Sequence, residues 1–63
     1  MAKFAQAVRR ERRLLEMSQE TLAERAGLHR NFVGRFERGT TSISLDAAER
    51  LARALGFELK DML

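Results

Sequence analysis

The chain reads as all-α, and three observations predict it. Proline is absent from the 63 residues, and Ala, Leu, Glu and Arg dominate while Thr, Val and Ile are few, the composition of helices rather than strands. Apolar residues recur at helical spacing along the chain. Gly27, Gly39 and Gly56 stand where such segments should stop, each able to supply the left-handed residue that ends a helix. The length predicts one domain spanning 1–63. A chain this short buries only about 60% of its extended surface, and without cysteine no disulfide or thiolate-bound metal supports it, a pattern that fits a reducing compartment. No apolar run approaches the roughly 18 residues of a membrane span. The segment 1–8, followed by an arginine cluster, lacks a signal-peptide pattern, so no membrane association is expected.

The elements follow in order. A first helix is expected over 3–16, with Phe4, Val8 and Leu15 on one face. Arg12 falls on that same face, an odd place for a charge. Ser18 is a good N-cap for a second helix over 19–26, with Leu22, Ala23 and Ala26 as its apolar stripe. Only Gly27, Leu28 and His29 separate it from a third helix over 30–38, a connection that suits two helices meeting at a steep angle, as in a helix-turn-helix. Ser44 caps a fourth helix over 45–55, where Leu45, Ala48, Leu51, Ala52 and Leu55 form a stripe and Asp46, Glu49, Arg50 and Arg53 the opposite face. Residues 57–63 can form one last short helical turn. Met1, Met17 and Met62 are expected in the core or at the termini.

Charge is unevenly spread. Residues 1–39 carry nine basic and five acidic side chains, whereas 40–63 carry three basic and four acidic. The first part therefore suits a polyanion. On a wheel of the third helix, Val33 and Phe36 cluster on one side with Phe32 at their border. Arg30, Asn31, Gly34, Arg35 and Arg38 occupy the other, and Glu37, the helix's one acid, sits at the edge of the apolar side. Arg bonds bidentately to guanine and Asn to adenine in the major groove. A mid-helix glycine costs on the order of 1 kcal/mol, which a closer approach to a groove floor would offset. A solvated basic face with a tolerated glycine fits the same wheel. The first turn of the second helix, with Gln19 and its free N–H groups, suits a phosphate, although Glu20 opposes it.

From Val8 to Leu55 the sequence resembles the helix-turn-helix family of phage repressors and Cro proteins, also called the xenobiotic-response-element family. The matching run is Met17-Ser18-Gln19-Glu20-Thr21-Leu22-Ala23-Glu24-Arg25-Ala26-Gly27-Leu28, continued by Phe36-Glu37-Arg38-Gly39, Ser44-Leu45 and Leu51-Ala52-Arg53-Ala54-Leu55-Gly56. The resemblance implies a five-helix, lambda-repressor-like domain whose second and third helices form the helix-turn-helix. It makes Arg30, Asn31 and Arg35 the base contacts and Gln19, His29, Arg38, Thr40, Thr41 and Ser42 the phosphate contacts. It also implies an ion pair between Arg12 and Glu37, the two misplaced charges. Three positions depart from the family pattern: Glu16 stands where glycine is common, Glu11 where an apolar residue is common, and Phe32 where a smaller or polar residue is frequent. Phe32 either borders the core or touches a thymine methyl.

The expected function is a cytoplasmic, bacterial or phage-encoded DNA-binding regulator of transcription, acting on double-stranded DNA with a palindromic or pseudo-palindromic operator. RNA polymerase is a further candidate partner. The profile is similar to controller proteins of restriction–modification systems, to Cro-like phage switches and to antitoxins, and 29–34 leans toward the first. A protein-interaction module on the same fold is the competing class. His29 is the one histidine, too little for a metal site, and no nucleophile stands beside a base, so neither enzyme nor cofactor is expected. Phe57, Leu59, Met62 and Leu63 crowd the last seven residues. Phe57 and Met62 are the expected core members, Leu59 and Leu63 the more exposed. The resemblance implies a homodimer through this region, with Leu59, Met62 and Leu63 as its interface.

Overall fold

The computed structural model describes residues 2–63, so Met1 lies outside the description. Helix α1 is Ala2–Leu14, α2 is Gln19–Ala26, α3 is Phe32–Glu37 and α4 is Leu45–Ala54. A 3-10 turn, Leu59–Met62, follows. No strand occurs among the described residues. The architecture is therefore four α-helices with one 3-10 turn where a fifth helix was expected.

Local chemistry sets the helix boundaries. The Ser18 hydroxyl accepts from the Thr21 N–H at 3.0 Å and that of Ser44 from the Ala47 N–H at 3.1 Å. Each cap satisfies an otherwise orphaned donor and contributes about 1 kcal/mol. All four helices end in one hydrogen-bond pattern. After α2, the Leu28 N–H donates to the Ala23 carbonyl and the Gly27 N–H to that of Glu24, the Schellman arrangement, with Gly27 at φ +71°. The corresponding residues after α3 and α4 are Gly39 and Gly56. After α1 the same position is Glu16, at φ +54°. Met17 N–H donates to the Arg12 carbonyl and Glu16 N–H to that of Arg13.

That reversal explains two differences from the wheel of the first helix. The helix stops at Leu14, so Leu15 no longer follows helical spacing and is exposed, while Met17 enters the core in its place. The core joins Phe4 and Val8 of α1, Leu22, Ala23 and Ala26 of α2, Val33 and Phe36 of α3, and Ala48, Leu51 and Leu55 of α4. Helix α2 packs on both α3 and α4, and α1 closes the other side against α3. Phe4 meets Phe36 with ring centroids 5.7 Å apart at 56°, a favoured tilted geometry. Leu45 is not part of the buried stripe. It is 68% exposed at the margin of α4, whose buried face is completed by Ala47.

The C-terminal residues also depart from expectation. Phe57 is 37% exposed, whereas Leu59 and Met62 are half-buried and pack against the core. A 3-10 turn has three residues per turn, so positions three apart eclipse each other. Leu59 and Met62 therefore share its inner side, and Phe57, ahead of the turn, does not.

Glu16 combines two penalties: a left-handed backbone that costs a non-glycine residue roughly 1–2 kcal/mol, and a negative charge at a helix C-terminus. Glycine relieves both, less the extra freedom it has when unfolded. Glu16→Gly should raise stability by about 0.5–1 kcal/mol and Tm by a few degrees. Thermal unfolding measures this, and an unchanged or lower Tm would show that the strain is compensated.

Candidate nucleic-acid interface

The surface of α3 rests on a buried ionic knot. Arg12 Nε donates to Glu37 Oε2 at 2.8 Å and Arg12 Nη2 to Glu37 Oε1 at 2.9 Å, a bidentate fork. Arg12 Nη1 donates to the Met17 carbonyl at 2.9 Å, and Gln19 Nε2 donates to Glu37 Oε1 at 3.1 Å. One carboxylate thus ties α3 to α1 and α2. The arginine and glutamate side chains are only 10% and 4% exposed. Burial pushes the Glu37 carboxyl up, but the hydrogen bonds from Arg12 and Gln19 and the charges of Arg12 and Arg9 together outweigh it, leaving it below its ordinary value. The hydrogen bond to Glu37 holds the Arg12 guanidinium above its own. No buried side-chain polar atom among the described residues lacks a partner.

Gln19 also explains Gly34. The wheel suggested an open gap at the centre of the polar face, but Gly34 is buried. A Cβ there would lie 3.0 Å from Gln19 Oε1 and 3.2 Å from Arg38 Nη1. The glycine makes room for two side chains that cross over it and lets α2 and α3 approach closely. Sequence reasoning missed this link, because it depends on how the two helices meet.

Helix α3 is shorter than the expected 30–38. Its first residue is Phe32, and Arg30 and Asn31 lie in the turn before it. His29 Nδ1 accepts from the Asn31 N–H at 3.1 Å, and the Phe32 N–H donates to the His29 carbonyl at 2.9 Å. These bonds make a tight turn in place of a first helical turn. Accepting at Nδ1 leaves the neutral ring its proton on Nε2. Phe32 is half-buried against the core and stacks on Phe36 at 6.3 Å, the border position.

Around this scaffold Arg30, Asn31, Arg35 and Arg38 are all exposed. Among the described residues no carboxylate pairs with any of these three arginines. His29 and Ser42 are exposed, and Gln19 and Thr41 half-buried. Thr40 commits both donors to the end of α3: its N–H and its hydroxyl each donate to the Arg35 carbonyl at 3.0 Å. Thr41 makes only a long bond, 3.4 Å, to the Ser42 carbonyl. Gln19 keeps one of its two amide protons free of Glu37. The result is a cationic surface that is free of acids on the outer side of α3, with exposed Glu20 in the first turn of α2 beside Gln19. Of the expected dimer residues, Leu63 is 73% exposed, while Leu59 and Met62 are half-buried against their own core. Among the described residues no group of His, Cys, Asp and Glu side chains could hold a metal ion.

A helix pair joined by a tight turn, with a basic outer face, defines the helix-turn-helix class. Residues 8–62 match the family described as Helix-turn-helix, and the chain belongs to it. Control protein C.BamHI of Bacillus amyloliquefaciens is 49% identical over 47 residues, covering 75% of this chain and 58% of that protein. The match thus spans less than two thirds of that relative. Control protein C.SmaI of Serratia marcescens is 39% identical over 60 residues, 95% of this chain and 71% of that one. The crystal structure of the restriction-modification controller protein C.AhdI from Aeromonas hydrophila is similar with a TM-score of 0.91 at 42% identity, covering 98% of this chain and 94% of that one.

Removing one partner of a buried ion pair strands the other charge, at a cost of about 3–5 kcal/mol. Arg12→Met and Glu37→Gln should each destabilise on that scale, and the double variant by less than their sum. A double-mutant cycle on thermal unfolding measures the coupling, expected at about 1–3 kcal/mol, and a value near zero would refute the pairing. Because the Glu37 carboxyl is lowered in the folded state, acid protonates the unfolded chain first. Its contribution is complete above the ordinary value of 4.5 and is lost as pH falls through the lowered one. Glu37→Gln should therefore flatten the stability loss below about pH 4.5.

Proposed function

We propose that this protein is a sequence-specific DNA-binding regulator of transcription. It reads the major groove with α3 and the turn before it, and binds a two-fold operator as a homodimer. The observation that carries the reading is the unpaired surface of Arg30, Asn31, Arg35 and Arg38, held in place by the Arg12–Glu37–Gln19 knot. Cations left without carboxylate partners on a rigid helix pair are suited to phosphate and base edges. Arg30, Asn31 and Arg35 take the base edges. Gln19, His29, Arg38, Thr41 and Ser42 take phosphates, each with a donor to give, while Thr40 shapes the end of α3. The likeness to restriction–modification controller proteins favours a controller role within this class.

Arg35 lies on the exposed side of α3, so its loss should remove a base contact worth about 1–3 kcal/mol. Arg35→Ala should weaken binding to a selected operator far more than binding to random duplex. Titrations of both DNAs measure the ratio. Equal losses would make Arg35 a phosphate contact, and wild-type protein with no preference among sequences would sink the reading.

One reader helix spans only a few base pairs, whereas two related by a dyad enter successive major grooves about 34 Å apart. Leu63, with Leu59, Glu49, Arg53, Glu58 and Lys60 around the same open hollow, offers an apolar centre with a mixed-charge rim. Leu63→Glu should lower self-association and operator affinity together while leaving the unfolding transition in place. Leu59→Glu should also destabilise, because Leu59 packs on its own core. Sedimentation equilibrium at micromolar concentration reads the first effect. A Leu63→Glu protein that dimerises as wild type would place the interface elsewhere.

A further inference from the structure

A second cationic surface stands outside the reading face. Lys3, Arg9, Arg10 and Arg13 are exposed on α1. At about 100° per residue, Arg9 and Arg13 lie about 60° and 100° round the helix from Arg12, on the side away from Phe4 and Val8. Arg12 faces Glu37 at the end of α3, so these two form the edge of α1 that adjoins the reading unit. The electrostatics agree, since the charge of Arg9 is felt at the Glu37 carboxyl. The Arg12–Met17 and Gln19–Glu37 bonds hold this end of α1 beside the first turn of α2. Among the described residues neither Arg9 nor Arg13 has a carboxylate partner, whereas Arg10, farther round at about 160°, pairs with Glu11 at 3.2 Å.

We infer that Arg9 and Arg13 bind the DNA backbone outside the base pairs read by α3, extending the contact along the phosphates that flank each half-site. The inference rests on the DNA-binding reading above. Two unpaired guanidiniums about one turn apart on one helix edge suit successive phosphates, and they supply affinity without sequence information. Leu14, exposed beside them, leaves an acidic, apolar protein segment as the rival occupant, which the experiment separates.

The experiment compares wild type, Arg9→Gln/Arg13→Gln and Arg10→Gln on two duplexes. One ends at the operator's outer base pairs and the other carries about ten further base pairs on each side, roughly one DNA turn. Each phosphate neutralised contributes about 0.9 to the slope of log affinity against log salt. On the long duplex the double variant should lower that slope by about 1.8 per protomer, and on the short one it should behave as wild type. Arg10→Gln should match wild type on both, and all three proteins should unfold at similar temperatures. Equal losses on both duplexes would overturn the flanking placement. No loss on either, with wild type binding its operator normally, would overturn the inference and leave this face to a protein partner. Wild type that fails to prefer its operator would instead overturn the DNA-binding reading itself.

Discussion

A six-residue helix cannot hold its shape in water, because nucleation costs more than so few turns return. Helix α3 therefore depends on what anchors it, and the decisive anchor is Glu37. Val33 and Phe36 fix its depth in the core, but apolar contacts allow some rotation. A carboxylate gripped by a bidentate guanidinium and an amide admits little. Glu37 is the last residue of α3 and His29 stands three residues before its first, so directional bonds hold the end of the helix and the turn that enters it. The exposed arginines inherit their orientation from that clamp.

The clamp also divides the labour among charges. Arg12 is a largely buried arginine, while Arg30, Arg35 and Arg38 are exposed and lack any acidic partner among the described residues. Guanidinium suits both tasks. It remains charged when desolvated, and its fork matches a carboxylate as well as a base edge or phosphate. One acid in α3, turned inward, leaves the outer face free of carboxylates that would repel a polyanion.

Much of this was legible in the sequence where the physics is local. Glycine at 27, 39 and 56 marks helix ends because the left-handed turn is a property of one residue. Arg12 and Glu37 stood out because each wheel placed a charge on or beside an apolar face, and buried charges require partners. The readings that failed needed knowledge of neighbours. Leu15 was assigned to the core on a helical count that Glu16 had already ended. Leu45 belongs to the stripe by spacing, yet lies at its margin. Leu59 and Phe57 exchanged environments because the terminal turn begins only at Leu59, which leaves Phe57 ahead of it. Gly34 looked like an opening toward a ligand, and only the meeting of α2 and α3 shows that Gln19 and Arg38 cover it. Arg30 and Asn31 fall outside the helix because the chain enters it through a tight turn, closed by the Phe32 N–H on the His29 carbonyl and the Asn31 N–H on the His29 imidazole.

The separation between knot and surface has a consequence for how such a domain can change. Arg30, Asn31 and Arg35 take no part in the buried network through their side chains, so exchanging them leaves the frame intact. If these side chains read DNA as proposed, preference for a new target can be acquired one side chain at a time without disturbing the knot. Gly34 is the exception within the same stretch: its packing under Gln19 and Arg38 makes it a fixed point around which the vocabulary of the helix can be rewritten.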